Sequence, residues 1–125
     1  MIVTFSEGTR NTVGINISDS SDHDFVLGAS DQVRILESMS IACGDAGASI
    51  TVVLYDRDGN AFYIFNKEAV SANTTLLLND THYVLRKGGK ITVKASAGAF
   101  SIIANMIDPP PVSAKNNVGI AQANR

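Results

Sequence analysis

Apolar and polar residues alternate with a period of two along most of this chain, and no segment sustains the spacing of an amphipathic helix. In residues 32–42, one face collects the aliphatic side chains Val33, Ile35, Met39 and Ile41. Glu37 interrupts that face. Successive residues of a strand point to opposite faces, so the alternation predicts an all-β protein in which one face of each strand is buried.

The strands are short, and turn residues separate them at regular intervals. Strands are predicted at residues 2–5, 12–17, 32–42, 49–56, 61–66, 74–79, 82–86, 91–95 and 99–107. The serine- and acid-rich segment Ser18–Ser30 is predicted to be a long loop. This rhythm predicts an antiparallel two-sheet sandwich of about eight strands, of either the jelly-roll or the immunoglobulin-like kind.

Three consecutive prolines divide the chain into a sandwich domain, residues 1–108, and an extended C-terminal arm, residues 109–125. Prolines cannot donate ladder hydrogen bonds, so they must end the last strand. The arm has too few apolar residues to order itself, and it is either a tail or a segment that orders on a partner. Its candidate partner-binding residues are Pro109, Pro110, Pro111, Val112, Val118 and Ile120.

The composition favours a single self-sufficient domain and gives no support for nucleic-acid binding. The chain has 125 residues, 18% of them charged, and a net charge of −2. Residues 1–60 hold nine acids and three bases, whereas residues 61–125 hold three acids and seven bases. This asymmetry could supply complementary patches for self-association. No stretch has the length of a membrane span, and the single cysteine, Cys43, is expected to be buried.

The sharpest candidate for chemistry is the segment Asp56-Arg57-Asp58-Gly59-Asn60. Oxygens of Asp56, Asp58 and Asn60 are spaced as in the opening of a calcium loop, but Lys67 occupies the position where such a loop needs glutamate. A hairpin turn between two strands explains the same residues. Neither histidine lies in a recognisable catalytic frame, so we expect no enzyme activity and no cofactor.

Residues 33–107 resemble small β-sandwich virion proteins of tailed bacteriophages. The resemblance lies in the order of SITVVLYDRDGNAFYIFNKEAV, SANTTLLLND, YVLRKGGKITVKASAG and FSIIANMID. It implies a structural protein made in the host cytoplasm and carried in the virion, most simply a capsid decoration or cement protein. It also implies the major capsid protein as the partner and a homotrimer as the assembly, with neck or tail adaptors as the alternative.

A ligand-binding module, for glycans or host surfaces, is the competing hypothesis. Such a module needs exposed aromatic side chains, and the strand positions of Tyr55, Phe62, Tyr63 and Phe65 instead indicate a core role.

The closing strand Phe100–Ile107 is apolar on both faces and carries no charge. We therefore expect a neighbouring chain to cover part of it, most simply in a homotrimer.

Overall fold

The computed structural model describes residues 9–28 and 33–108, which form nine strands and no helix. The strands are β1 Thr9–Ile17, β2 His23–Leu27, β3 Arg34–Cys43, β4 Ala48–Tyr55, β5 Ala61–Val70, β6 Thr75–Leu78, β7 Tyr83–Leu85, β8 Lys90–Ala95 and β9 Phe100–Asp108. Within these residues, no helix is long and apolar enough to cross a membrane.

The strands form two antiparallel sheets that pack face to face. The five-stranded sheet has the order β1-β9-β3-β6, with β7 also paired to β3, and the four-stranded sheet has the order β2-β8-β4-β5. Because β6 and β7 follow one another along β3, they act as one interrupted strand, which leaves eight strand positions. This interleaved order is that of a jelly roll. The predicted antiparallel sandwich is therefore confirmed, and its topology is the jelly-roll alternative.

The alternating faces of both sheets meet in one hydrophobic core, as the period-two pattern predicts. β9 contributes every second residue, namely Phe100, Ile102, Ala104 and Met106, and each is at most 2% exposed. The opposite sheet contributes Ile50, Val52, Ile91, Val93 and Ala95, all fully buried. Cys43 lies at the margin of this core, 7% exposed, and its predicted burial is confirmed.

A β-bulge in β3 changes which residues of this strand face the core. The register with β9 shifts between Leu36 and Ser38, so Glu37 is the extra residue. Leu36 therefore points into the core with Met39 and is fully buried. The prediction that Ile35 shares the face of Met39 is wrong, because the bulge reverses the alternation at Glu37. Ile35 instead lies opposite Ile107.

The predicted loop Ser18–Ser30 is wrong in its second half, because β2 forms there and pairs with β8. Phe25 and Val26 are both buried although they are adjacent, since a bulge between Asp24 and Val26 interrupts the alternation. Strand β5 is also longer than predicted. It continues past Asn66 to the buried Val70 through a second irregular stretch.

The closing strand is not an edge strand. β9 lies between β1 and β3 and pairs with both along its length. The edge position implied for Phe100–Ile107 is therefore wrong, whereas the expectation that a neighbouring chain covers part of this strand stays a prediction. The predicted strand at residues 2–5 and the predicted arm at residues 109–125 lie outside the described residues.

Candidate interaction surfaces

The segment from Asp56 to Asn60 forms a hairpin turn between β4 and β5. One carboxylate oxygen of Asp56 accepts hydrogen bonds from the backbone N–H groups of Asp58 and Asn60, both at 2.9 Å. The other oxygen accepts the Asn60 side-chain amide at 3.0 Å. These hydrogen bonds, the side chain of Asn60 first, lower the pKa of Asp56. Gly59 has a φ of +87°, which closes the turn.

This geometry confirms the hairpin interpretation and places the metal candidates Asp56, Asp58 and Asn60 in one turn. The Asp56 carboxylate accepts three hydrogen bonds within the turn. In residues 9–28 and 33–108, no three His, Cys, Asp or Glu side chains come together as a metal-binding group.

The outer face of the five-stranded sheet is uncharged over four strands. Directly opposite residues of antiparallel strands share a face, so the pairing with β9 identifies the outward set. Apart from the end row of Arg10, Ile107 and Ile35, these residues are Thr12, Gly14, Asn16, Ser38, Ser40, Ala42, Thr75, Leu77, Ser101, Ile103 and Asn105. We call this set the uncharged face. The nearest charged side chains, Arg10 and Glu37, form an ion pair of 3.0 Å at one end.

Two aliphatic side chains stand in the middle of the uncharged face. Ile103 is 44% exposed and Leu77 is 60% exposed, and each lies directly opposite Ser40 on a neighbouring strand. Gly14 lies on the other side of Ile103. The row from Gly14 to Leu77 therefore presents apolar surface with small residues on either side, a shape suited to close contact.

The polar residues of the uncharged face bind one another. Asn105 accepts the Thr12 hydroxyl at 3.0 Å and donates its amide to Ser38 at 2.8 Å. Ser101 donates its hydroxyl to Asn16 at 2.7 Å. Because these groups are mutually satisfied, covering them costs less than burying unpaired polar groups.

The outer face of the four-stranded sheet is different, because charged side chains cross it. Asp24 and Thr92 lie opposite one another, and Lys90 forms an ion pair of 3.2 Å with Asp24. The Lys90 ammonium also lies 5.5 Å from the centre of the Tyr55 ring. Tyr63 is 63% exposed opposite Val53.

The prediction of a core role for the aromatic cluster holds only for Phe65, which is partly buried and packs against the core. Phe62 is 55% exposed and Tyr63 is 63% exposed, because both lie on the edge strand β5. Tyr55 is partly buried but lies opposite Lys90 on the outer face. Tyr55 and Tyr63 border a groove of about 370 Å³ on the outer face of the four-stranded sheet.

One end of the sandwich is closed by an ion pair between β3 and β9. Arg34 Nε donates to Asp108 Oδ1 at 2.6 Å, and a second guanidinium nitrogen donates to the Leu27 carbonyl at 2.8 Å. Asn11 of β1 also donates to Asp108. The side chains of Arg34 and Asp108 are only 18% and 17% exposed. Strands β1, β2, β3 and β9 are therefore joined around Asp108, the last residue before the predicted arm.

The predicted partner-binding residues lie outside the described part of the chain. They are Pro109, Pro110, Pro111, Val112, Val118 and Ile120. Their role stays a prediction. The surfaces that the sequence did not reveal are the uncharged face and the exposed Phe62 and Tyr63. Strand pairing decides which residues lie on these surfaces, and periodicity alone gives no information about the strand order.

No protein-family model matches this chain, and no curated protein matches it in sequence. Among solved structures, it is similar to a protein of Bacillus endospore appendages, which form disulfide-linked pili. That similarity has a TM-score of 0.50 at 12% identity and covers 82% of this chain and 87% of the other.

A similarity to VP2 of the infectious bursal disease virus subviral particle has a TM-score of 0.49 at 10% identity. It covers 82% of this chain but only 32% of VP2. This chain therefore spans about a third of the viral protein. The similarity to the Bacillus appendage protein, at 12% identity, shows a similar fold alone.

Proposed function

We propose that this chain is a structural virion protein, a decoration protein that binds the head surface of a tailed phage and stabilises it. The observation that carries the proposal is the uncharged face, which spans four strands and displays Ile103 and Leu77. The centres of protein interfaces are depleted in charged residues, and exposed apolar patches mark sites of protein contact. The partner that we propose for this face is the major capsid protein.

The contrast between the two outer faces supports this orientation. The face of the four-stranded sheet carries Asp24, Lys90 and Lys94, whose desolvation would oppose close packing on a shell. It would therefore face solvent, and charges there would keep the particle soluble. The fold is compatible with an assembly subunit, since the Bacillus appendage protein of similar fold belongs to a pilus.

Binding to phage heads tests the proposal. Heads would be purified from a phage in which the gene for this chain is deleted, and the chain would be added back and sedimented with them. Ile103→Asp places a charge in the middle of the uncharged face and should weaken binding at least about tenfold, or about 1.4 kcal/mol. Leu27→Asp is the matched control, because Leu27 is 56% exposed on the other sheet.

Wild-type protein and the Leu27→Asp variant should bind heads equally well, and all three proteins should keep their thermal midpoints. Equal binding by Ile103→Asp would contradict docking through the uncharged face. Sedimentation with tails and not with heads would favour the adaptor alternative. Failure of the wild-type chain to bind any particle would remove the virion assignment.

The arm at residues 109–125 is proposed to add to this attachment. Seventeen extended residues span roughly 55–60 Å, enough to cross a neighbouring subunit. Truncation after Asp108 should leave the sandwich folded, because the core lies within residues 17–107. The truncated chain should bind heads more weakly than the full chain. Equal binding would show that the sandwich supplies the attachment without the arm.

A ligand-binding module is the second candidate, and the groove beside Tyr55 and Tyr63 favours it. An exposed aromatic ring next to polar side chains is the surface on which a sugar ring can stack. A glycan array would test this candidate, with Tyr63→Ser as the variant. Specific binding that Tyr63→Ser abolishes would support the module, and an array without specific binding would contradict it.

A further inference from the structure

Edges of β-sheets carry unpaired backbone groups, and proteins usually block them with bulges, charges or short strands. In residues 9–28 and 33–108, the two sheets have four edges, at β1, at β6 with β7, at β2 and at β5. The edge at β2 is blocked in three ways. It has only five residues, it is bulged after Asp24, and Asp22 and Asp24 place charges along it.

The edges at β5 and at β6 with β7 are also blocked. The pairing of β5 with β4 is irregular at two places, and Lys67 in one of them has a φ of +54°. A strand so distorted cannot offer a continuous ladder. The opposite edge of the five-stranded sheet is divided into β6 and β7, and Asp80 between them has a φ of +56°.

Strand β1 is neither short nor bulged. It pairs with β9 in a continuous register over all nine residues from Thr9 to Ile17, without a bulge. Arg10 is its only charged residue. Among the described residues, β9 is its only strand partner. β1 is therefore the one long, regular edge of the described sandwich, and such an edge is a template for another strand.

We propose that β1 pairs antiparallel with β1 of a second copy, about a twofold axis centred at Gly14. Opposite residues of antiparallel strands must share a face, so the axis has to pass midway between one residue of β1 and the same residue of its copy. Centring the axis at Gly14 keeps the uncharged faces of the two copies on the same side of the joined sheet. It also places Arg10 of each copy opposite Ser18 and next to Asp19 of the partner.

Charge complementarity favours a second copy as the partner, in a register that brings Arg10 beside Asp19. The side chains of Arg10 and Asp19 are 65% and 59% exposed, and they lie at opposite ends of β1. Hydrogen bonds with His23 and Ser21 hold the pKa of Asp19 at about 2, so its carboxylate is charged at neutral pH. Residues 11–18 between the two charges are uncharged, so antiparallel pairing brings no like charges together.

The pair would join the five-stranded sheets of two copies into one continuous sheet of eight strand positions, with β6 and β7 counted as one position, and with a continuous uncharged outer face. One strand pair makes a small interface, so the dimer belongs to the weak class that a shell would reinforce. The inference is independent of the proposed function, because strand pairing requires no head. It also differs from the trimer that the resemblance implies.

A disulfide cross-link tests the register. Opposite residues have Cα atoms about 4.5–5.5 Å apart, within the range of about 4.4–6.8 Å that a disulfide needs. A Cβ at Gly14 would meet only the Ile102 carbonyl oxygen, at 3.7 Å, so Gly14→Cys fits. Thr12→Cys is the matched control. In the proposed register, the two copies of residue 12 lie four residues apart, about 13 Å.

Both variants would be made with Cys43→Ala and oxidised mildly at a chain concentration of about 1 mM, because the interface is small. Gly14→Cys should form a covalent dimer at least about tenfold faster than Thr12→Cys, as expected for one fixed register. Equal rates, or faster linkage of Thr12→Cys, would overturn the proposal. Thermal midpoints equal to that of the Cys43→Ala protein would show that both variants fold.

A charge exchange gives a second test that does not depend on cysteine chemistry. Arg10→Glu and Asp19→Arg should each weaken dimerisation in sedimentation experiments, because each places like charges together. A mixture of the two variants should restore a heterodimer, in which both contacts are again complementary. A monomeric wild-type chain, a wild-type trimer, or a mixture that stays monomeric would contradict the twofold pair.

Discussion

Replacing Asp108 with Asn tests whether one partly buried ion pair clamps the end of the sandwich. Asn keeps the shape of the side chain and removes the charge that faces Arg34. The two carboxylate oxygens lie 2.6 and 3.5 Å from two guanidinium nitrogens, and both side chains are less than a fifth exposed. Hydrogen bonds to charged groups contribute about 1.5–3 kcal/mol, and breaking fully buried pairs costs about 3–5 kcal/mol.

We therefore expect Asp108→Asn to reduce the free energy of unfolding by about 2 kcal/mol. This value lies in the lower part of the two ranges, because the ion pair is still partly in contact with water. In a domain of this size, that corresponds to a fall in the thermal midpoint of about 8 °C. The matched control is Glu37→Gln. The Arg10–Glu37 pair has side chains 65% and 33% exposed, and its loss should cost about 0.5 kcal/mol or less.

Urea denaturation at neutral pH would measure both variants, together with Arg34→Met and the Arg34→Met/Asp108→Asn double variant. The double variant should lose less stability than the two single variants summed, because removing both partners leaves no charge without its partner. A loss for Asp108→Asn as small as that for Glu37→Gln would refute the clamp. So would additive losses in the cycle.

Three further predictions concern the core, one turn and one loop. Phe100→Ala should cost about 3–5 kcal/mol in urea denaturation, because Phe100 is 2% exposed and its removal leaves a cavity. A cost below about 1 kcal/mol would contradict its central place in the core. Gly59→Ala should cost about 1 kcal/mol through its φ of +87°, whereas Gly14→Ala, without positive φ, should cost less. The pKa of Asp19 is lowered from its ordinary value of 3.8 to about 2 in the folded chain. The contribution of this carboxylate to the free energy of unfolding is therefore present above about pH 4 and is lost as the pH falls to about 2. The thermal midpoints of the wild type and Asp19→Asn should therefore converge between about pH 4 and pH 2, and a constant difference across that range would contradict the assignment.

The sequence predicted the sandwich because its signal is local. Alternation along β8 and β9 survives in the structure, and turn residues such as Gly59 mark the ends of the strands. Errors arose where a bulge reverses the alternation. At Glu37, one extra residue moves Leu36 into the core in place of Ile35. A bulge is specified by the partner strand, so periodicity along one strand does not reveal it.

The surfaces were less predictable than the core, since they depend on strand order. β2 is a strand because its buried Val26 pairs with Ile91. The serine and acidic residues around Val26 are typical of a loop, so the sequence pattern did not predict this strand. Phe62 and Tyr63 read as core residues but lie on an edge strand. The uncharged face could not be recognised before β1, β9, β3 and β6 were known to be neighbours, because its residues come from four separate segments.

Hydroxyl-radical footprinting of the chain on phage heads most directly tests docking through the uncharged face, since it reports which outer face the head covers. We predict that Ile103 and Leu77 lose most of their reactivity when the chain is bound, compared with the free chain. Leu27 and Tyr63, which are exposed on the four-stranded sheet, should keep theirs. Protection of Leu27 and Tyr63 with continued reactivity of Ile103 and Leu77 would contradict docking through the uncharged face.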